Sequence, residues 1–262
     1  MVLKKKHRAF NVLGNIAVVN FSKEIKVSEK KKFANKILKE NKAVKTVLEK
    51  SGKFKGRLRK MKTRYLAGEK TKEVLYRENG CVFRFNINTT YFSPRLSNER
   101  KEIASLIKKG EKVLVMFAGV APFSIVIGKN SKAGKIYSNE INREANKYAK
   151  LNIELNKLRD KIELVSGDIK RVVKNLPKID VIVMPRPHLK ETFLKEAFFL
   201  SKKNTRIYYY DFCRVGEENL IVEKIKSEAV RAKKRIKVLK VKHAGEIAPY
   251  KTRVRINFII LD

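Results

Sequence analysis

From Asn98 to the C terminus, the sequence alternates regularly between apolar, strand-like runs and amphipathic, helix-like segments. The strand-like runs are KVLVMF, KIYSNE, KIELVS, DVIVM and TRIYYYDF. Short apolar runs that alternate with helices predict a parallel, doubly wound α/β sheet whose strands are buried on both faces. The last two runs, IKVLKVKHA and TRVRINFII, have no helix between them, so we expect them to pair as an antiparallel hairpin.

A largely parallel sheet that ends in such a hairpin is the Rossmann-like topology of class I methyltransferases. We therefore predict this α/β fold for residues 96–262. Residues 1–95 differ, because they combine short strand candidates with a Lys-rich helix near Glu29–Asn41 and a hairpin signal at Asn79-Gly80. This pattern predicts a small basic α+β domain, which we expect to bind RNA and to complete the active site.

The charge of the chain points to an anionic partner. The 262 residues include 63 Lys and Arg against 26 Asp and Glu, a formal net charge of +37. Such an excess repels itself unless an anionic partner neutralises part of it. Nucleic acid, an anionic membrane and an acidic protein all fit that description, and nucleic acid is favoured because the charge is spread over an aromatic-containing, foldable chain.

The remaining composition argues for a cytoplasmic protein. No apolar run approaches the roughly 20 residues of a membrane span, and the N terminus lacks the apolar region of a secretory signal. The two cysteines, Cys81 and Cys213, have no CxxC spacing and are interpreted as free thiols of a reducing compartment. Three scattered histidines make a zinc site improbable, so we predict no metal.

Four segments are expected to meet at the carboxyl ends of the parallel strands, where α/β sheets bind ligands. The first is the turn FAGVAPFS, in which a glycine allows close backbone approach and a proline opens a helix. The second is Glu140, placed to accept the hydroxyls of a ribose, and the third is Asp168, placed to accept an adenine amino proton. The fourth, VIVMPRPHL, lies where methyltransferases acting on base nitrogens hold their substrate. The predicted cofactor-binding residues are Phe117, Ala118, Gly119, Val120, Pro122, Glu140, Asp168, Met184 and Pro185.

Each segment has an ordinary structural interpretation when it is taken alone. The first is a tight strand-to-helix turn, Glu140 is an acid near a helix N terminus, and Asp168 is a helix N-cap. Phosphate-binding alternatives are poor, because the sequence has neither GxxxxGK[ST] nor GxGxxG. The four segments in this order predict S-adenosyl-L-methionine as the cofactor.

The chain also resembles the archaeal and eukaryotic tRNA (guanine-37-N1)-methyltransferase family, and its archaeal members most of all. The resemblance covers nearly the whole sequence, and its most specific parts are YFSPRLSNER and FAGVAPF. It implies a tRNA substrate bound through the anticodon stem-loop, and we expect a monomer. It assigns the general base to Glu99 in SNER and the catalytic arginine to Arg59 in GRLR. The expected substrate-binding residues are Tyr91, Arg95, Arg186 and Pro187.

Three positions depart from the family pattern. Val115 stands where members usually have Asp, Ala121 where they usually have Gly, and Pro185 where many have Asn. These changes predict altered or weaker cofactor binding and leave open whether a wyosine precursor is also methylated. The chain starts directly after the small domain with which archaeal relatives often grip the tRNA outer corner, so we expect that grip to be absent. Two other functions stay open, namely an aminocarboxypropyl transferase of the wyosine pathway and a non-catalytic RNA-binding protein with a decayed cofactor site.

Overall fold

The computed structural model describes residues 10–22, 24–52, 61–187 and 189–262. The chain divides into two compact units. The first consists of Met1–Glu78 and Val82–Phe92, and the second of Asn79–Cys81 and Ser93–Asp262. The assignment of RNA binding to residues 1–95 and of cofactor binding to residues 96–262 stays a prediction.

Within the described residues, the N-terminal part of the chain forms six strands and one helix. They are β1 (Phe10–Leu13), β2 (Ile16–Val19), α1 (Val27–Glu40), β3 (Thr46–Lys50), β4 (Thr63–Gly68), β5 (Glu73–Glu78) and β6 (Cys81–Asn86). The sheet order is β1-β2-β3-β4, and β5 pairs with β6 in a separate two-stranded sheet. Asn79 and Gly80 have φ values of +48° and +72°, as the predicted Asn-Gly hairpin turn requires.

The helix α1 is held on its sheet by apolar packing and by one buried ion pair. It connects the parallel strands β2 and β3, which need a crossover of this kind. Ala34 and Ile37 of α1 pack into the core of this unit. Lys30, on the same face, places its Nζ 2.6 Å from Oε1 of Glu49 on β3.

The C-terminal part of the chain contains the predicted alternation of strands and helices. The elements are α2 (Ser97–Ser105), β7 (Lys112–Met116), α3 (Pro122–Asn130), β8 (Lys135–Glu140), α4 (Arg143–Leu155), β9 (Ile162–Ser166), α5 (Ile169–Val172), β10 (Ile179–Met184), α6 (Leu194–Leu200), β11 (Ser201–Arg214), α7 (Glu218–Arg231), β12 (Ile236–Ala248) and β13 (Lys251–Ile260).

These strands form one seven-stranded sheet in the order β12-β13-β11-β10-β7-β8-β9. The five strands from β11 to β9 are mutually parallel, and β13 is antiparallel to both of its neighbours. The prediction of a class I methyltransferase sheet with an antiparallel C-terminal hairpin is therefore confirmed. Its strand order reverses at β7, so the topological switch point lies between β7 and β10, and ligands of such sheets bind at the carboxyl ends of the strands there.

Three elements differ in length from the sequence prediction. The segment NERKEIASLIKK predicts a helix over residues 98–109, but α2 ends at Ser105, before Gly110, which has a φ of +80°. The segment KETFLKEAFFLS predicts a helix from Lys190, but α6 begins only at Leu194, because Phe193 adopts a left-handed conformation with a φ of +58°. The strand β11 is longer than expected, since its antiparallel pairing with β13 continues to Arg214 and Lys251.

Candidate active site

The turn after β7 is held in an uncommon backbone conformation. Phe117, Gly119 and Ala121 have φ values of +59°, +59° and +65°. For a residue with a side chain, such a conformation costs about 1 to 3 kcal/mol and occurs mostly at functional sites. The conformation explains why glycine suits position 121, where this chain has a fully buried alanine. The turn ends in α3, whose first residue is Pro122.

Glu140 ties this turn to the end of the neighbouring strand β8. Its Oε2 accepts a hydrogen bond from the Gly119 N–H at 2.7 Å, and its Oε1 accepts one from the Asn142 N–H at 2.7 Å. Its carbonyl accepts a third from the Gly167 N–H at 2.9 Å. The carboxylate that was predicted to bind a ribose is thus fixed between the turns that follow β7 and β9.

Asn146, on the first turns of α4, faces the same strand end. Its Nδ2 donates to the Glu140 carbonyl at 2.9 Å. Its Oδ1 is buried and has no hydrogen-bond partner among the described residues. Buried polar atoms are nearly always paired, so this oxygen is a candidate acceptor for a ligand hydroxyl or amino group.

Asp168 caps the short helix α5, which is the ordinary structural role that the sequence suggested for it. It is the N-cap residue, and its Oδ1 accepts a hydrogen bond from the Lys170 N–H at 3.1 Å. The carboxyl group lies at the carboxyl end of β9, next to Gly167, whose φ is +122°. Its predicted contact with an adenine stays a prediction.

Arg186 anchors the loop that follows β10. Its side chain is only 1% exposed, and its Nη1 lies 2.5 Å from Oδ1 of Asp211. Its Nη2 donates to the carbonyls of Leu189 and Glu191, the second at 2.6 Å, and the guanidinium lies 5.5 Å from the centre of the Tyr209 ring. The structure thus turns the predicted substrate-binding side chain inward, while Met184 is fully buried at the strand end and Pro185 and Pro187 are half-buried.

Glu99 lies in the first turn of α2 and is enclosed by hydrogen-bond donors. Its Oε2 accepts from the Tyr210 hydroxyl at 2.9 Å and from Arg255 Nη1 at 2.5 Å. Its Oε1 accepts from Lys242 Nζ at 2.9 Å. Glu102, one helical turn further, accepts from Arg255 Nη2 at 2.5 Å and from the same Lys242. Two carboxylates of α2 are therefore bound by two cations from the C-terminal hairpin.

The ion pairs of this cluster favour the charged forms of Arg255, Lys242 and Glu102. Burial opposes the charge on Arg255, but hydrogen bonding to Glu102 and the nearby acidic groups raise its pKa. Hydrogen bonds to Glu102 and Glu99 raise the pKa of Lys242. Burial alone would raise the pKa of Glu102, but its bonds to Arg255 and Lys242 lower it overall. Burial, followed by the charge of Glu99, raises the pKa of Tyr210, so its hydroxyl stays protonated and can donate.

The structure says less about the remaining predicted site residues, Arg59, Tyr91 and Arg95. Arg59 lies outside the described residues. Tyr91 belongs to the first unit and is half-buried, and Arg95 is exposed in the second unit. In the described ranges no group of three or more His, Cys, Asp and Glu could hold a metal ion, and no described helix is long and apolar enough to cross a membrane.

The partners of Glu99 and Arg186 were not predicted from the sequence. A signal was present, because TRVRINFII places arginines inside an otherwise apolar strand, and buried charges are rarely left without a partner. The partners themselves come from distant parts of the chain, since Arg255 is 156 residues from Glu99. Pattern reading over short windows cannot supply that pairing.

The donor and acceptor set at this edge fits an adenosyl cofactor. Glu140 is fixed beside Gly119, the buried Oδ1 of Asn146 has no partner among the described residues, and the turn after β7 has a left-handed backbone. An ionised carboxylate can accept about four hydrogen bonds, so Glu140 can serve the turn and a ribose together. The sheet order and this edge define a class I, S-adenosylmethionine-dependent methyltransferase.

The comparisons with known proteins define the family. Residues 74–241 match the TRM5/TYW2 methyltransferase domain, and residues 2–71 match the TYW2 N-terminal domain. The chain therefore belongs to the TRM5/TYW2 methyltransferase family, and the predicted family membership is confirmed.

Three known proteins illustrate the similarity. One relative is Taw22 of Nanoarchaeum equitans, named as a tRNA (guanine(37)-N(1))/4-demethylwyosine(37)-methyltransferase. Its sequence is 32% identical to this one, and the aligned region covers 97% of this chain and 100% of the Taw22 chain. The crystal structure of Trm5b from Pyrococcus abyssi has a TM-score of 0.85 and 32% identity, covering 97% of this chain and 75% of that one. Methanocaldococcus jannaschii Trm5 in complex with adenosine has a TM-score of 0.80 and 28% identity, covering 97% and 74%.

Proposed function

We propose that this protein methylates N1 of guanosine 37 in tRNA, with S-adenosyl-L-methionine as the methyl donor. The observation that carries this proposal is the buried Glu99 carboxylate at the carboxyl edge of a methyltransferase sheet. Relatives that span nearly the whole chain, Taw22 of N. equitans and Trm5b of P. abyssi, bear names that state this reaction. The proposed RNA partner is the anticodon stem-loop, where guanosine 37 lies in a single-stranded loop and can be splayed out.

The reaction needs a group that removes the N1 proton while charge moves onto O6. Bound S-adenosyl-L-methionine supplies an electrophilic methyl group on a sulfonium. In the proposed roles, Glu99 accepts the N1 proton, Arg59 stabilises the charge on O6, and Tyr91 stacks on the base. Glu140 and Gly119 orient the adenosyl group at the turn after β7, so the methyl group and N1 can be held in line.

The test is transfer of a radiolabelled methyl group to transcript tRNA, followed by nucleoside analysis. We expect N1-methylguanosine with guanosine at position 37 and no product when that base is replaced. Glu99→Gln is expected to lower turnover at least hundredfold while S-adenosylmethionine binding persists. Glu163→Gln, an exposed carboxylate of β9, is the matched control. Full activity in Glu99→Gln would contradict the assigned base, and absence of product with the parent protein would contradict the function.

Binding of tRNA is proposed to rest on the net charge of +37. Each phosphate that Lys or Arg neutralises makes binding more sensitive to salt. A protein with six to ten such contacts loses affinity about 10³- to 10⁵-fold when the salt concentration rises from 50 to 200 mM. Filter binding or fluorescence anisotropy over this range measures the slope. Affinity that changes less than about tenfold would contradict an electrostatic interface.

A second activity is favoured by one specific observation. The N. equitans relative is named as both a guanine-37 and a 4-demethylwyosine-37 methyltransferase. This chain has Pro185 where many relatives of the family have an Asn that could orient guanine, so base selection at the loop after β10 is less specific. Incubation with tRNA that carries 4-demethylwyosine tests this activity directly. We also propose that the protein acts in the cytoplasm, where Cys81 and Cys213 would stay as reduced thiols, and that it acts as a monomer.

A further inference from the structure

We propose that Lys242, Arg255 and Glu102 are positioning residues for Glu99. They hold its carboxylate in one orientation and set the balance of charge around it, and so they determine how readily it takes up the N1 proton. This inference rests on the proposed function of Glu99 as the base. It extends that function to residues on the last two strands of the sheet.

The first argument is the register of the strands. Arg255 on β13 lies directly opposite Tyr210 on β11 and directly opposite Lys242 on β12. Like charges directly opposite each other on neighbouring strands are destabilising. The Lys242–Arg255 pair is therefore unfavourable by itself, and it is neutralised by the two carboxylates that α2 lays over it.

The second argument is the rigidity of Arg255. Its side chain is fully buried, and its Nε donates to Oδ1 of Asn257 at 2.9 Å. Its two Nη atoms each contact a different carboxylate, Glu99 and Glu102, at 2.5 Å. A planar guanidinium that is fixed at three nitrogens leaves the Glu99 carboxylate one orientation.

The third argument is the gradient of exposure across the cluster. The side chain of Glu99 is 7% exposed, whereas those of Glu102 and Lys242 are 32% and 33% exposed. Lys242 bonds both carboxylates, and so does Arg255. The two cations are thus shared, and any change in the charge of Glu102 redistributes them toward or away from Glu99.

The donors to the Glu99 carboxylate come from the strands, namely Tyr210, Lys242 and Arg255. Glu102, on α2 itself, shares Arg255 and Lys242 with Glu99. Arg100, the next residue of α2, donates to the Ser93 carbonyl and lies 5.7 Å from the ring centre of Phe123 on α3.

The experiment measures single-turnover methylation of guanosine 37 in saturating tRNA as a function of pH. Lys242→Met removes one shared cation, so the midpoint of the acid limb is expected to rise by about one pH unit. Glu102→Gln removes the competing carboxylate and leaves both cations to Glu99, so the midpoint is expected to fall. Opposite shifts from two neighbouring residues are not expected of a purely structural cluster.

Three further variants make the result decisive. Lys240→Met changes an exposed lysine on the same strand and is expected to keep the parental pH profile. Lys242→Arg keeps the charge and is expected to restore the parental midpoint. Thermal melting is measured in parallel, and if Lys242→Met does not fold, Glu102→Gln and Lys242→Arg still test the proposal.

Two results would overturn the inference in different ways. Midpoints that stay at the parental value in both Lys242→Met and Glu102→Gln, or that move in the same direction, refute the positioning role while the proposed function stands. A parent protein without methyl transfer to guanosine 37, or a fully active Glu99→Gln, refutes the proposed function and the inference with it.

Discussion

Breaking the ion pair between Arg186 and Asp211 is expected to destabilise the second unit strongly. The Arg186 side chain is 1% exposed and that of Asp211 is 10% exposed. In Asp211→Asn the guanidinium keeps its two carbonyl acceptors but loses the Asp211 carboxylate, and its Nε has no partner among the described residues. Removing one partner of a buried pair costs about 3 to 5 kcal/mol, and a loss of 3 kcal/mol lowers the melting temperature by about 6 to 12 °C in a unit of this size.

Calorimetry and urea unfolding of the full chain measure this loss, and a double-mutant cycle isolates the pair. Arg186→Leu combined with Asp211→Asn leaves no buried charge, so the double variant is expected to be more stable than the sum of the single losses by about 2 kcal/mol. The matched control is Glu223→Gln, which removes an exposed pair with Lys226 at 2.8 Å. Exposed pairs contribute at most about 1 kcal/mol.

A loss below about 1 kcal/mol in Asp211→Asn would refute the reasoning, because the pair would then be solvated in solution. The same variants test the predicted substrate role of Arg186. If Arg186 binds RNA directly, Arg186→Leu weakens tRNA binding at unchanged melting temperature. If it anchors the loop, stability falls first, and tRNA and cofactor binding follow the loss of the loop.

Three further predictions concern single residues. Gly68→Ala is expected to lower the free energy of unfolding by about 2 to 4 kcal/mol, since Gly68 has a φ of +88° and a Cβ there would lie 2.1 Å from the Lys45 carbonyl oxygen. Gly80 also has a positive φ but open space around it, so Gly80→Ala should cost only about 1 kcal/mol in urea unfolding. Equal losses in the two variants would contradict the steric argument. Burial, with nearby acidic groups, raises the pKa of Cys213 to about 11, so iodoacetamide should modify it at pH 8 about a hundredfold more slowly than a free thiol of pKa 9; the rate of a free cysteine would contradict this. Burial of Asp180 is outweighed by its bonds to Lys202 and to the Lys112 N–H, so its pKa is lowered and its ionised form stabilises the fold. Asp180→Asn should lower the free energy of unfolding by about 1 kcal/mol at pH 7. This difference should begin to shrink as the pH falls below about 4 and should vanish once the pH is below the lowered pKa of the folded state. A pH-independent difference would show that the loss is not electrostatic.

The alternation of strands and helices in the second unit was predictable because its evidence is local. Apolar runs such as Val113–Met116 and Val181–Met184 can be recognised one at a time, and alternation with helices then fixes the parallel arrangement. Phe193 shows where local reading fails. The sequence predicts a helix from Lys190, yet the left-handed conformation of Phe193 delays its start to Leu194. The Phe193 ring instead packs on Phe117, with ring centres 4.9 Å apart.

The candidate site was predictable only in outline. Glu140 and Asp168 were found because each follows a strand, and strand ends are visible in the sequence. The contact of Glu140 with the Gly119 N–H depends on how two turns face each other. The enclosure of Glu99 depends on the register of three strands far away in the chain, which no short pattern encodes.

The end of β11 has a consequence for how this sequence can change. Tyr210 and Asp211 are consecutive, and successive side chains of a strand point to opposite faces of the sheet. One bonds Glu99 and the other bonds Arg186. Deletion of one residue of β11 before Tyr210 would exchange the two faces, placing the Asp211 carboxylate beside Glu99 and leaving Arg186 without its counter-ion. By contrast, β12 already contains register irregularities near Val238 and Glu246. We therefore expect length variation among related sequences to accumulate in the edge strand β12 and to be absent from β11.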